Sequence, residues 1–118
     1  MKAKTILIID DDISFVKIIR NKFKKFNIIE KNSITEAEKI KITEIAIVDY
    51  VILDYYLSNG YGVDFLSYIY TWNSKAIVFL ISGLIPIESL AKINKIYPTL
   101  KICDKSNFMD DIAKIINS

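Results

Sequence analysis

Three consecutive acids, Asp10, Asp11 and Asp12, follow the apolar run Thr5–Ile9, and a fourth, Asp54, follows directly on Tyr50–Leu53 (YVIL). Ser82 closes the run Ala76–Ile81 in the same way, and Asp104 and Lys105 close Leu100–Cys103. Apolar runs of this length, bounded by polar residues, read as strands buried on both faces of a parallel sheet. In an open sheet of that kind, functional groups gather at the carboxyl ends of the strands. Asp10, Asp11, Asp54, Ser82 and Lys105 then share one edge. Carboxylates crowded together raise one another's pKa unless a cation is present, and an oxygen-rich site with few fixed ligands suits Mg2+. A metal, a nucleophilic carboxylate, a hydroxyl donor and an ammonium are together the parts needed to take up a phosphoryl group.

Most of these residues also have a plain structural explanation. Acids at Asp10–Asp12 complement the dipole of a helix that starts there, Ser82 can cap or turn the chain, and Lys105 can be a solvated lysine near a helix start. Asp54 resists such an account. It ends what should be the most buried strand, and a desolvated acid in that place is usually functional.

The elements that must hold these groups alternate along the chain. A weaker strand, Asn27–Glu30, joins the four clear ones. Between strands, apolar residues recur at helical spacing: Phe15, Val16, Ile19 and Phe23, then Val63, Leu66, Ile69 and Tyr70. Ile87, Leu90, Ile93 and Tyr97 follow the same rule, as do Phe108, Ile112, Ile115 and Ile116. Ile34–Ile45 is a more polar helical segment. Asp12, Ser33 or Thr35, and Ser106 or Asn107 are suitable helix caps. The pattern predicts one α/β domain over residues 1–118, a doubly wound (βα)5 fold with a five-stranded parallel sheet between helices.

Composition narrows the chemistry further. The 118 residues carry 16 Lys+Arg against 14 Asp+Glu, a formal charge of +2, too small and too interleaved to predict nucleic-acid or membrane binding. With no His and a single Cys, Cys103, a zinc site, a His-based triad and an internal disulfide are all excluded. Cys103 reads as a small apolar residue of the last strand. The apolar stretch at the N-terminus stops at Asp10, well short of a membrane span or a signal core, which points to a cytoplasmic protein. Tyr55, Tyr56, Tyr61, Tyr68, Tyr70 and Trp72 read as core and half-exposed packing.

In this arrangement the chain resembles the receiver domains of two-component response regulators over nearly its whole length. The family's acidic pair after strand one corresponds to Asp10–Asp11 in LIIDDD, and its phosphoacceptor, followed eight residues later by a glycine, to Asp54 and Gly62 in VILDYYLSNGYG. Its hydroxyl residue corresponds to Ser82 in FLISG and its lysine to Lys105 in CDKSNF. The resemblance implies that Asp11 and Asp54 ligate Mg2+ directly, with Asp10 acting through a water and the backbone carbonyl of Tyr56 completing the set. It implies that Asp54 accepts a phosphoryl group from a sensor histidine kinase, a phosphotransfer protein or a small donor such as acetyl phosphate. Ser82 and Lys105 then bind the phosphoryl oxygens, and an output domain or partner protein reads the state. Such a domain catalyses only its own phosphorylation and dephosphorylation.

Two alternatives stand beside this one: a receiver-like docking module that is never phosphorylated, and a phosphatase resembling the haloacid dehalogenases with Asp10 as nucleophile. The chain also departs from the receiver pattern. Ile102 stands where the family usually has a switching aromatic. Ser106 replaces a proline usually in a cis peptide, so a trans bond is expected there. Ser58 replaces another proline, which points to a more mobile Ser58–Gly62 loop. Tyr56 and Leu84, bulky and on either side of the site, are expected to hinder the water that hydrolyses an aspartyl phosphate.

Overall fold

The computed structural model describes residues 3–83 and 85–116. Five parallel strands form the central sheet: β1 (Thr5–Ile9), β2 (Asn27–Lys31), β3 (Tyr50–Asp54), β6 (Ile77–Ser82) and β7 (Lys101–Asp104), in the order β2-β1-β3-β6-β7. The helices between them are α1 (Ile13–Lys22), α2 (Ile34–Ala37), α3 (Ile42–Ala46), α4 (Leu66–Trp72), α5 (Ile87–Ile96) and α6 (Phe108–Ile116). This is the doubly wound, flavodoxin-like α/β fold expected from the alternation of apolar runs and helical periods.

Successive strand residues point to opposite faces, so each all-apolar strand feeds two cores. Ile6, Ile8, Ile52, Phe79 and Ile81 pack with Phe15, Ile19 and Phe23 of α1 and its C-cap and with Phe108, Ile112 and Ile116 of α6. Leu7, Ile9, Val51, Leu53, Val78 and Leu80 pack on the other face with Ala37, Ile45, Leu66, Ile69 and Ile93. β1 and β3 are buried throughout, whereas β2 and β7, at the two sheet edges, are partly exposed. That exposure explains why β2 gave so weak a signal.

One local expectation is corrected, and one loop proves to be structured. The single helix expected over Ile34–Ile45 is two short ones, because the chain breaks at Ile40 to bury its side chain and to offer its carbonyl to the Tyr68 hydroxyl at 2.8 Å. Helix α3 restarts with the Lys41 N–H donating to Glu44 Oε1. The loop after Asp54 carries structure of its own: β4 (Tyr56–Leu57) pairs antiparallel with β5 (Gly60–Tyr61), and a 3-10 turn, Gly62–Phe65, leads into α4. Asn59 ties this hairpin to α2, donating to Thr35 Oγ1 at 2.7 Å. Both expected caps at Asp12 and Ser33 form, accepting the N–H of Phe15 and of Glu36. No helix among the described residues is long and apolar enough to cross a membrane.

Candidate functional site

The strand order reverses between β1 and β3, and the crevice beyond that point is where ligands bind in open α/β sheets. Register brings the acids level there: Ile9 pairs with Leu53, so Asp10 and Asp54 emerge side by side. Both are buried, at 2% and 6% exposure, while Asp11 is exposed. Carboxylate oxygens of Asp10, Asp11 and Asp54 all lie within 4.8 Å of one another.

Two buried acids in contact are an electrostatic problem. Burial pushes the Asp54 carboxyl up, the Asp10 charge pushes it further, and Lys105 pulls back only in part, leaving it at about 7. Burial likewise raises Asp10, against the Asp12 N–H that donates to its Oδ1 at 2.8 Å and the charge of Lys105. Asp10 Oδ2 is fully buried without a hydrogen-bond partner among the described residues, and the Lys105 ammonium lies at the ion-pair distance of 3.4 Å. An oxygen-only cluster with excess negative charge and an unsatisfied buried oxygen fits a hard divalent cation such as Mg2+.

Lys105 reaches the acids from the far edge of the sheet. Its Nζ lies 3.4 Å from Asp10, 3.6 Å from Asp12 and 3.7 Å from Asp54. Burial works against its charge, but Asp10 and Asp54 outweigh that and raise its pKa, so it is an ammonium at neutral pH. Its N–H donates to the Ser82 carbonyl at 3.1 Å, which locks the end of β7 against the end of β6. Ser82 is itself buried beside this cluster, one residue beyond Ile81, the register partner of Asp54. The backbone of Tyr56 lies against Asp54, its N–H donating to Asp54 Oδ1 at 3.3 Å. Gly62 packs so closely on Asp54 that a Cβ there would lie 1.9 Å from the Asp54 carbonyl oxygen.

Asp10, Asp11, Asp54, Ser82 and Lys105 therefore meet at one edge. Three further contributors do not show in the motif. Asp12 pairs with Lys105 in addition to capping α1, and Phe15 places its ring 4.6 Å from the Lys105 ammonium, where the face of the π-system attracts a cation. Phe15 had the spacing of an ordinary core residue, and it is that too, its ring tilted against Phe108 with centroids 4.7 Å apart. Asp104 turns its carboxylate onto Ser106, accepting from both its N–H and its hydroxyl. An acid two residues before a serine at a strand end is the signature of a side-chain-bridged turn.

The departures are also placed. No peptide bond among the described residues is cis, so Lys105–Ser106 is trans as expected. Ile102 is half-buried against the core and lines a cavity of about 240 Å3 with Ser82, Gly83, Ile85, Leu90, Cys103 and Asp104, a lining without an aromatic among the described residues. Tyr55, Tyr56 and Tyr61 form a mutual aromatic cluster, with centroids 4.6, 5.6 and 5.7 Å apart, and the latter two are half exposed at the mouth of the site. Cys103 is partly buried against the core, as expected, and burial pushes its thiol up. Leu84 lies outside the described residues.

No family sequence model matches the chain, and no curated protein matches it in sequence. Solved structures do. The chain superposes on a CheY-like response regulator receiver domain from Methanospirillum hungatei JF-1 with a TM-score of 0.76 at 14% identity, covering 98% of this chain and 95% of that one. The receiver domain of the histidine kinase CKI1 from Arabidopsis thaliana, complexed with Mg2+, gives 0.76 at 19% identity, over 97% and 90%. A response regulator from Burkholderia pseudomallei with a phosphorylated aspartic acid, a calcium ion and citrate gives 0.69 at 16%, over 84% of this chain and 58% of that longer one. The chain thus has the fold of response-regulator receiver domains.

Proposed function

We propose that the chain is a receiver domain of two-component signalling that accepts a phosphoryl group on Asp54 and so switches its contacts with other proteins. The observation that carries this reading is the meeting of buried Asp54 with Asp10 and the Lys105 ammonium at the switch point of the sheet. Asp10, Asp11, Asp54 and the Tyr56 carbonyl would hold Mg2+, which when bound supplies the positive charge that keeps Asp54 ionised and neutralises the transferred group. An Asp54 carboxylate oxygen forms the new O–P bond while the donor's P–N bond, in a phosphohistidine, or P–O bond, in an acyl phosphate, breaks and the leaving group departs with its electron pair. Lys105 then shifts onto the phosphoryl oxygens together with the Ser82 hydroxyl, the charge-assisted contacts that tell the modified state from the unmodified one.

The donor is a sensor histidine kinase, a phosphotransfer protein or a small phosphodonor, and the reader is an output domain or partner protein. The domain acts in the cytoplasm, contacts neither nucleic acid nor membrane itself, and turns over no substrate beyond its own phosphoryl group. Intact-mass measurement after incubation with acetyl phosphate or a beryllium-fluoride surrogate plus Mg2+ tests this. One adduct on the wild type and none on Asp54→Asn is the expected result. Absence of any adduct would replace the reading with a phosphorylation-independent docking module, and turnover that survives Asp54→Asn but not Asp10→Asn would replace it with a phosphatase.

A further inference from the structure

Lys105 has a demanding position. Its backbone belongs to the loop after the edge strand β7, yet its ammonium must meet acids at the ends of β1 and β3, three and two strands away in the sheet order. A long, rotamer-rich side chain reaches a fixed point only if its Cα is itself fixed. On the strand side this is done by the Lys105 N–H bond to the Ser82 carbonyl. On the other side the chain turns through Ser106 by a trans peptide, with no proline ring to restrict it.

Asp104 supplies the missing restraint. Its Oδ1 accepts from the Ser106 N–H at 2.9 Å and from the Ser106 hydroxyl at 2.8 Å, and its carbonyl accepts the Asn107 N–H at 3.1 Å. The three bonds bracket Lys105 between two residues locked to one another. Asp104 is exposed and touches none of the metal-binding acids, so nothing in the core requires a carboxylate at this place.

We propose that Asp104 is a positioning residue for Lys105: through its bracket on Ser106 it holds the turn from which the ammonium reaches the phosphoacceptor. The proposal rests on the reading of Lys105 as the phosphoryl-binding cation. It separates two properties that simple loss of structure would move together. Loosening Lys105 slows phosphoryl uptake, but it does not weaken metal binding, because the cation that leaves the acids was competing with the metal for them.

The test uses the full chain, with phosphorylation by acetyl phosphate at saturating Mg2+ followed by intact mass and Mg2+ affinity by calorimetry. Asp104→Ala should phosphorylate about 10-fold more slowly, the scale expected when a catalytic group is slightly misplaced. Its Mg2+ affinity should be unchanged or tighter. Asp104→Asn keeps the acceptor oxygen and should recover most of the rate, while in a Lys105→Ala background Asp104→Ala should add nothing. An undiminished rate in Asp104→Ala, a parallel loss of Mg2+ affinity, or an equal effect with Lys105 absent would overturn the proposal. A wild type that takes up no phosphoryl group would instead remove the reading beneath it, and the proposal with it.

Discussion

The two edges of the sheet treat their polar groups in opposite ways. At the amino edge, Asn73 donates from its Nδ2 to the carbonyls of Ile45 and Val48, both at 2.8 Å, and its Oδ1 accepts from the N–H groups of Lys75 and Ala76. Nearby, the Asp49 carboxylate accepts the Thr5 N–H at 2.9 Å. At the carboxyl edge, Asp10 and Asp54 are buried against each other with one buried oxygen unbonded and a single lysine shared among three acids. The first edge is stitched shut and stabilises the fold. The second is left short of positive charge, a state that a bound cation relieves. Polar burial alone therefore does not mark a site, whereas polar burial without sufficient partners does.

The sharpest way to break this contrast is at the point where the carboxyl edge is tightest. Gly62→Ala forces a methyl group into the Asp54 carbonyl, and should destabilise the domain by about 3 kcal/mol or more while also lowering phosphoryl uptake, measured by urea unfolding and intact mass. Asn73→Ala should follow, costing about 3 kcal/mol through unpaired carbonyl and N–H groups, yet leaving the phosphorylation rate of the folded protein unchanged. A loss of rate there would mean that the edges are coupled.

Asp54→Asn should have the opposite sign. The folded pKa of Asp54 lies above its unfolded value of 3.8, so its contribution is favourable below about pH 4 and is lost as pH rises through about 7. Without metal, the variant should therefore be more stable than wild type at pH 8, on the order of 2 kcal/mol after discounting for screening, with the gap narrowed to less than half at pH 5 and closed only below about pH 4. Thermal melts at both values read this directly, and saturating Mg2+ should shrink the pH 8 gap by stabilising only the wild type. Equal melting of both proteins at pH 8 would show that the acidic cluster is not under strain. The smallest effect belongs to the aromatic rim: Tyr56→Ala should shorten the aspartyl-phosphate lifetime about threefold by opening the site to water, followed by the decay of the phosphorylated mass.

Legibility in the sequence followed locality. The strands were readable because TILII, YVIL and AIVFLI are buried on both faces, and the site residues because each ends such a run. The break at Ile40 was not readable, since it depends on Tyr68, which lies 28 positions away and joins it only in the fold. The β4–β5 hairpin was hidden for a similar reason: its anchor, Asn59, bonds to Thr35 across 24 positions. Phe15 had a helical period that explained it fully, which masked its place beneath Lys105. The Asp104–Ser106 bracket did carry a local signal in its spacing.

What the sequence determined by itself is the order of elements and the chemical type of the residue at each strand end, because burial pattern and period are properties of neighbouring residues. It could not decide strand order. That β1 and β3 lie side by side, so that Asp10 and Asp54 share one low-dielectric crevice, and that the chain returns at β7 on the far edge within reach of Lys105, are outcomes of long-range pairing. The sequence supplied four acids and a lysine. Only the tertiary structure turned them into a site, because the interaction between charges depends on their distance and on the water removed from between them.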